Sequence, residues 1–182
     1  MQRTTTARRN SNGFTLVELC VGLGICATLA SQALPALTQL KQSQALRAQA
    51  EALGSDLRLA RSEAARRSDS VFFRISGKGA NACYLIHTGV KDGCDCAGGR
   101  AVCKSTDSAV IKAVWVGGRT PMRLHSNAET LQFQYHQGLV TQTGSIELAL
   151  NNGEAIRQVV AITGRVRSCA VGAKMGALPR CS

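Results

Sequence analysis

From Phe14 to Leu37 the chain runs for 24 residues with a single charge, Glu18. A helix rising 1.5 Å per residue over that stretch spans about 36 Å, enough to cross a bilayer. The residues before it hold Arg3, Arg8 and Arg9 and no acid. Such a basic flank keeps that end of a membrane helix in the cytoplasm. A secretory signal would close with a small-residue cleavage site after the apolar stretch. Here Ser31-Gln32-Ala33 is followed by Leu34-Pro35, and the helical pattern continues past it. The run is therefore read as an anchor that stays with the chain. Glu18 is its anomaly, because a carboxylate near the start of a membrane helix is costly and is generally kept for a function. A cut between Gly13 and Phe14 would leave an α-amino group four residues away on the same helix face. Glu18 could pair with that amine in its own or a neighbouring subunit. Without a cut it is a boundary residue reaching for the headgroups.

From Thr38 to about Ser68 the pattern turns amphipathic. Leu46, Ala50, Leu53, Leu57, Ala60 and Ala64 recur at helical spacing and form one face. Arg47, Arg58, Arg61, Arg66 and Arg67 fall mostly elsewhere and are read as a solvated face. One long helix from Phe14 to about Arg67 is expected, its second half laid on a sheet. After Asp69 the pattern is short and β-like, with candidate strands at Val71–Ser76, Ala82–Thr88, Val110–Val116, Met122–His125, Thr130–His136, Ser145–Leu150 and Ile156–Thr163. Turn signals at Gly77-Lys78-Gly79, Gly117-Gly118 and Asn151-Asn152-Gly153 separate them. The expected class is α+β: a helical spine packed on an antiparallel β-sheet. The domain limits follow as 1–13, 14–37 for the anchor and 38–182 for the globular part.

Cys20 and Cys26 lie in the apolar run; Cys83, Cys94, Cys96, Cys103, Cys169 and Cys181 lie beyond it. Six clustered cysteines suggest disulfides and an oxidising compartment. Zinc is the rival, since Cys83, Cys94, Cys96 and Cys103 could supply four thiolates. Structural zinc sites use paired knuckles of wider spacing than Cys94-x-Cys96, so no metal is assigned. The stretch Asp92–Lys104 reads as a loop stapled to the strand bearing Cys83, whose partner among Cys94, Cys96 and Cys103 the spacing leaves open. No cofactor is expected, and no catalysis: His87, His125 and His136 are scattered, and no motif sets a nucleophile beside a base.

The net charge of +11 favours an acidic partner. It concentrates at the C-terminus, where no acid follows Glu154 and Arg157, Arg165, Arg167, Lys174 and Arg180 accumulate. A Cys169–Cys181 bond would loop the glycine-rich segment between them and hold Lys174 and Arg180 near Arg165 and Arg167. Arg165 and Arg167 alternate, so they share one face of a strand. Their planar forks suit phosphate oxygens. The plainer reading is a solvated edge strand whose arginines discourage edge pairing.

Two motifs carry a resemblance. Gly13-Phe14-Thr15-Leu16-Val17-Glu18-Leu19 resembles, at every position, the prepilin motif of type IV pilins and type II secretion pseudopilins. Gly164-Arg165-Val166-Arg167 resembles the Gly-Arg-x-Arg element of FimT/GspH-type minor pilins, closest to the FimT-like ones. The first resemblance implies a leader at 1–13, a prepilin peptidase cutting after Gly13 and methylating Phe14, and Glu18 setting subunit register. It also implies a single-pass inner-membrane protein with a pilin-like periplasmic domain, built into a filament with other major and minor pilins. The second implies sequence-independent binding of double-stranded DNA in natural transformation, through Gly164, Arg165, Arg167, Lys174 and Arg180. The other implied role is a structural minor pilin or GspH-type pseudopilin that primes filament assembly without DNA. The middle, Asp69 to Thr163, resembles the family only in outline.

Mass spectrometry of the membrane-derived protein is expected to find a mature chain starting at methylated Phe14. Glu18→Ala should be cut normally yet fail to enter filaments; an intact Met1 start in cells with active peptidase overturns the expectation.

Overall fold

The computed structural model describes residues 13, 15–116, 122–136, 138–172 and 175–181. Phe14, Lys174 and the expected turn at Gly117-Gly118 lie outside them. The chain divides into two compact units at Leu40/Lys41, and α1 (Leu16–Arg67) contributes to both.

In the first unit the large apolar side chains from Leu16 to Leu40 are exposed, and the helix is long and apolar enough to cross a membrane. Its few hydroxyls are satisfied locally: Thr28, Ser31 and Thr38 donate to the carbonyls of Ile25, Thr28 and Leu34, each at 2.8 Å. That is what a polar group in an apolar medium requires. Pro35 lies inside the helix and, having no N–H, removes one rung of its ladder.

In the second unit the helix buries the expected face, Leu46, Ala50, Leu53, Leu57, Ala60 and Ala64. Against it stand two sheets rather than the single sheet expected. The first is antiparallel with order β5-β2-β1-β7, built from β1 (Val71–Ser76), β2 (Cys83–His87), β5 (Val110–Trp115) and β7 (Thr130–Phe133). The second has order β10-β9-β8-β6, from β6 (Met122–Ser126), β8 (Gly144–Leu150), β9 (Ala155–Val160) and β10 (Val166–Val171). The chain changes sheet between β5 and β6 and returns between β6 and β7. Hydropathy alternation sets each strand's faces but not which sheet it joins. Phe73, Tyr84, Leu131 and Phe133 of the first sheet and Ile146, Leu148, Ile156 and Val160 of the second meet the helix in one cluster. Alternation in β8 is complete, residue by residue.

Two polar contacts fix the helix to the sheets. Gln158, 1% exposed, donates from Nε2 to the Ala50 carbonyl at 2.8 Å. Gly54 lets it in: a Cβ there would stand 3.3 Å from Gln158 Oε1. On the other side, buried Asp56 accepts from the Tyr84 hydroxyl at 2.9 Å and from Lys112 Nζ at 2.6 Å. The burial of its ring, reinforced by the carboxylate of Asp56 beside it, pushes the Tyr84 phenol well above its ordinary range.

The segment from Thr88 to Ala109 is folded over the outer face of β2. A two-residue ladder, β3 (Cys94–Asp95) with β4 (Val102–Cys103), organises it. Disulfides join Cys83 to Cys96 and Cys94 to Cys103. Cys83, Leu85, Cys94 and Cys96 form a second small cluster there, so β2 is buried on both faces. Each such bond contributes about 2–4 kcal/mol, chiefly by restricting the unfolded chain.

His87 ends β2, fully buried and stacked on Phe72 at 5.2 Å. Nδ1 lies 3.1 Å from the Thr88 carbonyl, and Nε2 has no partner among the described residues. Burial lowers its pKa; the Thr88 carbonyl and Asp92 oppose this in part, and Arg74 reinforces it. The unfolded chain thus takes up a proton near pH 6.5 that the folded chain accepts only at lower pH. Stability should be level above that pH and fall below it, by at most about 1.4 kcal/mol per pH unit. Thermal melts between pH 7.5 and 4.5, values chosen at roughly the edges of that window, should show the fall. His87→Gln should flatten it, and an equal slope in that variant would assign it elsewhere.

Candidate functional site

β10 is an edge strand, paired only with β9. Its sequence alternates so that Arg165, just before it, and Arg167 are both exposed while Val166 is half-buried. The Ala170 N–H donates to the Pro179 carbonyl at 2.8 Å, and the Ala170 carbonyl accepts from the Cys181 N–H at 3.0 Å. In an antiparallel ladder the residues whose backbone points away from the partner recur every second position. Val166 and Ser168 therefore present their backbone groups on the same open side, with no backbone partner there among the described residues. The tail seals one end of this edge and leaves the other open. The Cys169–Cys181 disulfide holds the tail in place, with Met175 buried beneath it.

Arg180 sits in register with Ala170, about 10 Å along the strand from Arg167 at 3.3 Å per residue. Among the described residues Arg165, Arg167 and Arg180 follow one another along the strand. Arg157 leaves the set, because Glu147, directly across on β8, accepts from its Nη2 at 2.8 Å. Among the described residues no carboxylate lies within 4.0 Å of Arg165, Arg167 or Arg180. Lys174 lies outside those residues.

The row has a second side that sequence reasoning missed. Strand β10 runs back along the helix, with Gly164 against Arg61 and Gly176 against Arg47. A Cβ on Gly164 would meet Arg61 Nε at 3.0 Å and one on Gly176 would meet the Arg47 guanidinium nitrogens at 3.2 Å. Arg47 and Arg61 are separated by about 21 Å of helix. With Arg58 they are free of ion pairs among the described residues. Arg66 and Arg67 are not: both bond Glu63, and those bonds, Arg66 first, bring its carboxyl down to about 2. The helix arginines nearest the edge are thus the uncommitted ones. Glu51, beside Arg47 in a groove of about 250 Å³, is the acid that breaks the band at its far end.

Gly164 is where the turn demands glycine. Its φ is +71°, and a Cβ would stand 2.2 Å from the Gly138 carbonyl oxygen. The turn closes through the Gly164 N–H to the Ala161 carbonyl at 2.8 Å and the Ala161 N–H to the Arg165 carbonyl at 3.0 Å. The glycine of the Gly-Arg-x-Arg element therefore sets the direction in which Arg165 leaves the turn.

At the other end of the chain, Thr15 caps α1. Its Oγ1 accepts from the Glu18 N–H at 3.2 Å and its carbonyl from Leu19 at 3.1 Å. Thr15-x-x-Glu18 is the pattern of a capping box, and the Glu18 carboxylate lies in the first turn, where the helix dipole favours it. Gly13 is exposed, and Phe14 lies outside the described residues.

A family model for the type II transport protein GspH matches residues 49–164. The chain belongs to the GspH family. The match takes in most of the buried face of α1, the first sheet and three strands of the second, and ends at Gly164, so β10 and its arginines lie beyond it. In fold, the chain is similar to the type IV minor pilin FimU of Pseudomonas aeruginosa. The two are 17% identical, with a TM-score of 0.53 over 68% of this chain and 87% of that one. A second crystal form of FimU gives 0.49 over 68% and 91%. No curated protein matches the sequence. The protein is thus a GspH-family chain with a pilin-like fold, of a family of structural subunits and not enzymes.

Gly164→Ala should cost about 1–3 kcal/mol from backbone strain alone, and more from the contact with Gly138. A calorimetric melt checks this; a melting temperature equal to wild type would remove the turn from the argument.

Proposed function

We propose that this GspH-family subunit binds DNA through the open edge of β10, with Arg165 and Arg167 as the principal phosphate contacts and Arg180 and Lys174 as flanking charges. The observation that carries the reading is an exposed pair of arginines on an unpartnered strand edge, free of carboxylates among the described residues. Two adjacent guanidiniums repel each other and gain from an anion placed between them. Backbone N–H groups of the same edge can donate to phosphate as well. Such contacts carry no sequence information, so double-stranded DNA of any sequence serves. Delivery of DNA to a competence system is the role this supports.

The rest of the proposal follows the N-terminal motif. A prepilin peptidase removes residues 1–13, Phe14 becomes the methylated N-terminus, and Glu18 meets the amine of a neighbouring pilin as the subunit enters the filament from the inner membrane. The globular part then faces the periplasm, where the three disulfides form. The second reading is a pseudopilin that serves assembly alone, favoured by a family match that stops before Arg165.

Gel shifts or fluorescence anisotropy on the full chain in zwitterionic detergent separate the two. Binding is expected with a dissociation constant on the order of 10⁻⁴ to 10⁻⁶ M at physiological salt. Arg165→Gln with Arg167→Gln should weaken it about tenfold or more and reduce the log–log salt slope by about 2. A Lys pair should keep part of the affinity, since charge remains and the fork is lost. Undiminished binding by the Gln pair favours the assembly-only subunit.

A further inference from the structure

Three segments meet at one corner of the second unit. The first is the α1 stretch bearing Arg58 and Arg61. The second is the turn from Gln134 to Val140, closed by Gln134 N–H donating to the Leu139 carbonyl at 2.8 Å. The third is the turn from Ala161 to Gly164, joined to the second by Val140 N–H donating to the Ile162 carbonyl at 2.9 Å. Between the first two opens a groove of about 480 Å³ lined by Arg58, Arg61, Ser62, Ala65, Tyr135 and Gly138. Gly138 completes the corner: its own missing Cβ leaves room for Arg61 Nε, which would otherwise stand 2.5 Å away.

Tyr135 is out of place there by the habits of this chain. Aromatic residues are only 4% of the sequence, and Phe72, Phe73, Tyr84 and Phe133 are all buried. Trp115 is 42% exposed, as Tyr135 is, but its indole N–H is bonded to the Cys96 carbonyl at 3.2 Å. Tyr135 is 42% exposed, and its hydroxyl has no hydrogen-bond partner among the described residues. His136 supports the ring, with centroids 3.9 Å apart. Aromatic surface beside two guanidiniums without ion pairs is poor ground for an apolar protein segment, which would have to strip water from both charges. It suits a ligand that is anionic along its backbone and flat along its side: a nucleotide strand with a base out of its stack.

We propose that Tyr135, with Arg58 and Arg61, forms a nucleobase-stacking subsite continuous with the phosphate-binding edge at Gly164-Arg165. The subsite takes an unpaired base, at a frayed duplex end or in a single-stranded stretch. The inference rests on the DNA-binding reading and adds to it the part of the ligand that a purely electrostatic edge cannot sense. Arginines along a strand edge need only a phosphate backbone. A ring can be used only by a base released from its neighbours.

The test uses the full chain in zwitterionic detergent and two labelled probes with the same number of phosphates, an oligothymidine and a duplex closed at both ends by non-nucleotide linkers. Fluorescence anisotropy is read at several salt concentrations. Tyr135→Leu should lose about tenfold in affinity for the single strand and little for the duplex. Tyr135→Phe keeps the ring and should bind like wild type; melts of both variants check the fold. Equal affinity of Tyr135→Leu and wild type for the oligothymidine overturns the subsite, as does an equal loss on both probes. Failure of the DNA-binding reading looks different: wild type then binds neither probe, or the Arg165, Arg167 Gln pair binds both unchanged, and the subsite falls with it.

Discussion

One helix face holds the second unit together. Leu46, Ala50, Leu53, Leu57, Ala60 and Ala64 are the common floor on which two separate sheets rest. The face mixes large with small side chains, and the small ones matter as much. Ala50 and Gly54 bring the second sheet close enough for Gln158 to reach a helix carbonyl. That bond lies inside an apolar contact, where an unmade partner would cost about 1–3 kcal/mol. It therefore fixes how β9 lies on the helix, and β9 in turn places β10. The edge of β10 inherits its position from a packing contact and one neutral hydrogen bond.

The first sheet is held with different means. Asp56 reaches out of the helix to Tyr84 and Lys112, and the stapled loop closes the far side of β2. An eight-strand core with so few aromatics has limited apolar area per residue, and restricting the unfolded chain by disulfides supplements it. Both loop disulfides and the tail disulfide serve segments with little backbone ladder of their own, two residue pairs in the loop and a single bridge in the tail. Those segments therefore depend on their three bonds staying oxidised.

Much of this was legible in the residues. The helix face was readable because its period is unmistakable, and strand positions because glycine and asparagine turns punctuate them; β1 begins and ends where the alternation says. Other features had no local signature. That β6 and β7 lie in different sheets depends on a three-residue connector, Asn127–Glu129, that reads like any other turn. Asp56 and Gln158 look like surface residues until their partners arrive from 28 and 108 residues away. The pairing of Cys83 with Cys96 could not be chosen by spacing. Arg61 was read as solvated because charge patterns do not reveal that two glycines, at 138 and 164, clear a place for its side chain. Of the basic tail, the alternation of Arg165 and Arg167 was visible, and the withdrawal of Arg157 by Glu147 across the ladder was not.

The half-sealed edge of β10 bears on how copies of this chain behave toward one another. An unpaired strand edge is a template for another strand, and identical chains crowded together meet it constantly. Here a second copy docking through its own β10 edge brings Arg165 and Arg167 toward the same pair, like charge facing like. The tail strand, tied down by Cys169–Cys181, removes the uncharged remainder of the edge from competition. Pairing of one β10 edge with another is thus disfavoured by charge, so the two arginines guard the one stretch of this edge that the tail leaves uncovered.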